Sequence, residues 1–126
     1  MKKQNKPITH LSWGKIQINL QGKEYNFKDC KIWPEGASNW DWNLTGTSHD
    51  TGIQPGDIKD ILEHDIEVMV LSRGVDLKMK VSPATEEILK SLGIEYYIHD
   101  TKKAVEVFNS LFQQGKKVGG IFHTTC

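Results

Sequence analysis

Apolar and polar positions follow two rhythms along this chain. The N-terminal third alternates with a period of two. The rest mixes short apolar runs with a period near 3.6. Over residues 8–18, Ile16 and Ile18 are set against Lys15 and Gln17, and Gly14 divides the segment into two short strands. Gln21-Gly22 marks a turn, and residues 25–33 return. Tyr25 and Phe27 share one phase, whereas Cys30 and Ile32 share the other. That slip predicts a bulge or bend near residues 27–29. Residues 34–36, with their proline and glycine, stop the strand. The reading is an N-terminal antiparallel hairpin.

Residues 40–55 have neither rhythm and read as a long ordered loop. A helix follows over residues 55–64. Pro55 suits its first position, Asp57 favours the positive end of its dipole, and Ile58, Ile61 and Leu62 line one face. Residues 68–71 are continuously apolar, the pattern of a strand covered on both sides. Leu77, Met79 and Val81 alternate against Lys78 and Lys80, which predicts a further short strand over residues 77–81. Ser82 caps a second helix with Pro83 next; Ile88, Leu89 and Leu92 form its buried face, and Gly93 ends it. Residues 94–98 form a strand. Asp100 or Thr101 caps a third helix carrying Ala104, Val105, Phe108, Leu111 and Phe112, and Gly115 stops it. Residues 118–122 form the last strand, interrupted by Gly119-Gly120.

Helices between buried strands imply right-handed crossovers onto a largely parallel sheet. The predicted fold class is α/β: a mixed central sheet with three mainly parallel strands (68–71, 94–98, 118–122), flanking helices and an additional N-terminal β-hairpin layer. The 126 residues suit one domain, residues 1–126, with residues 1–6 as a basic solvated tail.

Charge changes this picture little. Sixteen basic residues balance sixteen acidic ones, which argues against a nucleic-acid partner. No run approaches the roughly 18 apolar residues of a membrane span, and the basic start leads into no secretory signal. Cys30 and Cys126 form no ligand cluster or disulfide framework, so a reduced cytoplasmic protein is expected.

The candidate chemistry lies in the loop and just beyond the strand at 68–71. Arg73 follows that strand, where open α/β sheets often place ligands. Its planar fork suits a carboxylate or phosphate; the alternative is a structural pair with an acid such as Asp41. His49 can move a proton near neutral pH or bond the loop backbone. Asp41 can orient Arg73 or His49, and Trp42 can form an apolar wall. Thr47 and Ser48 complete an inventory for nucleophilic hydrolysis, but no Gly-x-Ser-x-Gly elbow is present, so no catalytic residue is assigned. The five histidines show no ligand spacing, and phosphate-loop and dinucleotide fingerprints are absent. No metal and no cofactor is expected.

Several stretches in order resemble the family of Mth938 domain-containing proteins. They are Leu11-Ser12-Trp13-Gly14, Lys28-Asp29-Cys30-Lys31-Ile32-Trp33-Pro34, Trp40-Asp41-Trp42, Thr45-Gly46-Thr47-x-His49, Gly52-Ile53-Gln54-Pro55, Leu71-Ser72-Arg73-Gly74 and Val118-Gly119-Gly120-x-Phe122-His123-x-Thr125-Cys126. The chain departs from the family's common pattern at Glu35, at Asp50-Thr51 and at Val75. The resemblance implies a compact α/β domain with a mixed sheet and a hairpin layer. It also implies an uncharacterised function, because relatives linked to fat-cell differentiation and to assembly of respiratory complex I offer no catalytic set to carry over. The expectation is a non-enzymatic binding or assembly module with a protein partner still to be identified. The alternative is a small-molecule binding protein or enzyme, taking a small anionic ligand near Arg73, His49 and Asp41.

Overall fold

The computed structural model describes residues 6–126, so the expected tail lies, apart from Lys6, outside the described residues. The first three strands are β1 (Ile8–Ser12), β2 (Lys15–Leu20) and β3 (Lys23–Phe27). They form an antiparallel sheet in the order β1-β2-β3, with Leu11 opposite Ile16 and Ile18 opposite Tyr25. The turn at Gln21-Gly22 is made by two left-handed residues, φ 53° and 80°.

The return over residues 25–33 is not one strand. Its phase slip marks the place where the chain leaves the first sheet and enters the second as β4 (Cys30–Trp33). The physical reason is burial: Cys30 and Ile32 are fully buried and pack into the layer between the sheets, so the chain must step across there. Pro34 also does not end the sheet. The chain reverses and runs back as β5 (Gly36–Asn39), with Trp33 opposite Gly36 and Cys30 opposite Asn39. Gly-Ala-Ser-Asn carries little strand propensity, and only its partner makes it a strand.

The second sheet has the order β5-β4-β8-β6-β7, with β6 (Val68–Ser72), β7 (Glu95–His99) and β8 (Val118–Phe122). β6 pairs in parallel with both β7 and β8, and β4 runs antiparallel to β8. The three predicted strands therefore share one sheet and are parallel. Between them lie α2 (Pro83–Ser91) and α3 (Thr101–Gln113); α1 (Pro55–Leu62) precedes β6. Ser82 and Asp100 cap α2 and α3 through the amides of Thr85 and Lys103, as the sequence predicts.

Residues 77–81 do not form the predicted strand; among the described residues, their only β-bridge is that of Val81 to Ile53. Leu77 is left-handed (φ 61°), and the Arg73 side chain takes the Leu77 and Met79 carbonyls that a ladder would need.

The central sheet divides two cores by its period of two. Val68, Val70, Val118 and Phe122 face the first sheet and α3, where they meet Ile16, Ile18 and Phe108. Met69, Leu71 and Ile121 face the other way and meet Ile58, Ile61, Leu89 and Trp40. Gly119 and Gly120 let both layers close on β8. A Cβ at Gly119 would lie 2.6 Å from Ile61 Cγ2, and one at Gly120 2.5 Å from Phe122 Cε1.

Burial, and secondarily the neighbouring Asp29 carboxylate, push the Cys30 thiol well above its ordinary value. The folded chain thus holds this proton more tightly than the unfolded chain. The stabilisation is full below about pH 8.5 and is lost as the unfolded thiol ionises above it. Urea midpoints at pH 7 and pH 10 should show a fall in wild type that is smaller in Cys30→Ala. Equal falls would mean that this thiol is not coupled to folding.

Candidate functional site: the Trp42–His49–His123 cleft

The loop before α1 is held from below by one buried side chain. Asp57, in the first turn of α1, accepts from Trp40 Nε1 (3.0 Å), Thr45 Oγ1 (2.6 Å), Thr47 Oγ1 and the Gln54 amide (2.8 Å). Trp40 is buried beneath the loop and touches Trp42, ring centres 5.5 Å apart. Asp41 accepts from the Asn43 amide at 2.9 Å and so caps a short 3₁₀ turn, Trp42–Leu44. These contacts order the loop and present Trp42 and His49 together, ring centres 5.3 Å apart and edge to face.

The other wall comes from the segment following β8. The His123 amide donates to Ser72 Oγ at 2.8 Å, and the Thr124 amide to Asp29 Oδ1 at 2.8 Å. Val75 N donates to Thr125 O (2.7 Å), and Lys78 N to Cys126 O (3.0 Å). Residues 123–126 are thereby fixed along their backbone. Asp29 sits at the step between the two sheets, with both carboxyl oxygens 3.3 Å from His123 Nδ1. That contact favours the tautomer carrying its proton on Nδ1, which leaves His123 Nε2 as an acceptor.

The two walls meet at the imidazoles. His49 Nε2 and His123 Nε2 are 3.3 Å apart, although 74 positions separate the residues. The His123 ring lies 4.7 Å from Trp42, centre to centre. A cleft of about 350 Å³ opens here, lined among others by Lys28, Asp29, Asp41, Trp42, His49 and His123. Trp42 Nε1, among the described residues, is a buried side-chain donor with no hydrogen-bond partner. A nitrogen of each imidazole and Cys126 Sγ all lie within 4.8 Å of one another.

Three of the four residues singled out from sequence, His49, Asp41 and Trp42, line this cleft. Arg73 does not. Its Nε donates to Met79 O (2.8 Å) and its Nη2 to Leu77 O (2.9 Å), and it lines a separate depression with Lys80 and Glu86. Its guanidinium bonds residues 77–79 rather than Asp41. The loop hydroxyls are also committed: Thr45 and Thr47 to Asp57, Ser48 to Thr51. Sequence reading passed over His123, Asp29 and Cys126. Their signal was present in Lys28-Asp29-Cys30 and His123-x-Thr125-Cys126, but nothing local said that these stretches meet.

Gly74 explains how the segment fits. It has φ 92°, and a Cβ there would lie 2.3 Å from Cys126 O and 2.8 Å from His123 Cδ2. The close approach that a glycine permits here is to the chain's own backbone. Gly74→Ala should destabilise by about 2–3 kcal/mol through strain and overpacking. Thermal unfolding measures the loss, and the His123 ring resonances should move with it. An unchanged melting temperature would mean that the segment does not press on Gly74.

The same architecture occurs in solved structures. A conserved hypothetical protein of Pyrococcus horikoshii superposes with TM-score 0.76 at 23% identity, covering 94% of this chain and 98% of its own. A Bordetella pertussis protein described as a Mth938-like domain gives 0.60 at 19%, covering 98% and 92%. A Bartonella henselae protein described as an outer membrane protein gives 0.75 at 20%, covering 95% of each chain. Among the described residues here, no helix is long and apolar enough to cross a membrane. At these identities the likeness speaks for the fold alone. The family described as protein of unknown function (DUF498/DUF598) matches residues 8–123, and by that match, with the Mth938-like fold around it, the chain belongs to this family.

Proposed function

We propose that this chain is a non-enzymatic binding module whose ligand, a small polar molecule with acceptor oxygens, sits in the Trp42–His49–His123 cleft. The observation that carries the reading is the convergence of two imidazoles, Nε2 to Nε2 at 3.3 Å, and the Trp42 ring on one open cleft. Lys28 adds a positive charge to the lining. Arg73, spent on carbonyls, is no longer the charge partner, and Asp29 and Asp41 temper any preference for an anion. Commitment of the loop hydroxyls to structural bonds favours binding over turnover.

The test is a titration with acetate, citrate and inorganic phosphate, followed through histidine side-chain and tryptophan indole resonances. At least one probe should move His49, His123 and Trp42 Nε1 together to saturation. His49→Phe, which keeps a ring in the wall and deletes an imidazole, should weaken that probe about tenfold, the loss of one good hydrogen bond. Shifts scattered over the surface, or none, would defeat the reading.

A second reading, assembly on a protein partner, is favoured by exposed apolar side chains on the segments that hold the cleft. Trp13, Leu44, Val75 and Leu77 are all exposed. Gly14 and Val75 donate to the carbonyls of Thr124 and Thr125. Photo-crosslinking from position 13 in cells should yield one discrete adduct under this reading, and no adduct if the cleft acts alone.

A further inference from the structure

We propose that His49, His123 and Cys126 form a zinc site with one coordination position open to the cleft. The proposal deepens the binding reading above, since that open position is where a polar ligand would attach.

Three observations carry it. The first is a distance. Two nitrogens bound to one tetrahedral zinc at about 2.0–2.1 Å must be about 3.3–3.4 Å apart. The two Nε2 atoms stand at 3.3 Å, the separation that a shared zinc asks for. The second is the donor set. Imidazole and thiolate are the usual zinc ligands, and the three donor atoms lie within 4.8 Å of one another. Nitrogen and sulfur on one zinc would be about 3.6 Å apart, so Cys126 needs to move inward by about 1 Å. Its own side-chain rotation can supply that, while its carbonyl stays bonded to Lys78. The third is the outer shell. Both Asp29 oxygens face His123 Nδ1, the carboxylate–histidine arrangement that orients a metal-bound imidazole and raises its basicity. Asp29 is itself held by the Thr124 amide.

A cysteine–histidine–aspartate nucleophile is the nearest rival, but it needs only one imidazole. A second imidazole with its Nε2 turned toward the first is what a shared ligand requires. Without metal, one proton between the two nitrogens satisfies the pair. On binding, His49 carries its proton on Nδ1, Cys126 loses its thiol proton to solvent, and the two Nε2 lone pairs and the sulfur bond the ion. Three protein ligands with a fourth position open are the arrangement of a zinc site that binds exogenous groups.

The experiment uses tag-free full-length protein freed of metal, titrated with zinc by calorimetry and with cobalt by absorption. Expected are one zinc per chain, and for cobalt the visible bands of a four-coordinate ion with a thiolate charge-transfer band. Cys126→Ser should abolish the charge-transfer band, and His49→Ala should weaken zinc at least tenfold. His10→Ala, an exposed histidine of β1, should change neither. Zinc should also slow alkylation of Cys126. Absence of stoichiometric binding, or binding indifferent to both His49→Ala and Cys126→Ser in folded protein, would overturn the site. Each variant's fold is checked by circular dichroism, and Cys126→Ser, a near-isosteric change, keeps the test open should His49→Ala unfold. The two readings separate cleanly. Acetate or phosphate shifts at His49, His123 and Trp42 in metal-free protein, with zinc indifferent, would leave the cleft as a binding site and remove the metal; silence to every probe would remove both.

Discussion

Asp57→Ala should be among the most damaging single changes in this chain, costing about 4 kcal/mol of stability. The side chain is buried and accepts from an indole, two hydroxyls and a backbone amide. Removing it strands donors that the fold has already withdrawn from water, at about 1–3 kcal/mol for each one left dry. Some will find water once the loop loosens, so the sum is smaller than the parts. Loss of the Asp57 bond to the Gln54 amide also weakens the start of α1. Urea denaturation measures the total. Asp57→Asn should lie between, since an amide keeps one acceptor oxygen but offers donors where acceptors are needed. A loss below about 1 kcal/mol for Asp57→Ala would show that the loop is not anchored there. The same variant should broaden His49 resonances, because Thr45 and Thr47 hold the loop that carries His49.

Trp40→Ala should cost about 3–5 kcal/mol, the range for deleting a large buried aromatic whose site cannot collapse. The ring lies in the core with Ile53, Ile58, Met69 and Leu71. Ile58 belongs to α1, Met69 and Leu71 to the sheet, and Ile53 to the bridge just before α1, all too well packed to fill the space. Trp42→Ala should cost less, because Trp42 is only partly buried. The pair Trp40→Ala and Asp57→Ala should be strongly non-additive, since each removes the same indole–carboxyl bond. Strict additivity in the double variant would mean that the 3.0 Å contact contributes nothing.

The helices were readable because their signals are local. Pro55, Ser82 with Pro83, and Asp100 mark starts, and apolar spacing fixes the buried faces. The three parallel strands were readable for the same reason: a short apolar run between helices has few places to go. Residues 77–81 misled because alternation alone does not make a strand. A strand also needs a partner edge, and here the Arg73 side chain occupies two of the carbonyls. Residues 36–39 misled in the opposite sense, since β4 supplies the edge that their propensity does not.

The site divides along the same line. Within one loop, the sequence alone marked Trp42, His49 and Asp41 as neighbours in a polar, aromatic stretch. It determined the α/β class, the helix caps, the order of the central elements and the aromatic content of the cleft, all encoded within a few turns of chain. Only the tertiary structure decided that Arg73 turns away from the cleft, that Cys30 and Ile32 belong to a second sheet, and that His123, Asp29 and Cys126 join His49. His123 lies 74 positions from His49 and 94 from Asp29. No period spans such separations. They are closed by β8 inserting between β4 and β6, which brings its C-terminal end against both the sheet-crossing step and the Trp-rich loop. Sheet order is a collective outcome of two cores packing on one central strand, and that is why the meeting of these side chains is visible only in the folded chain.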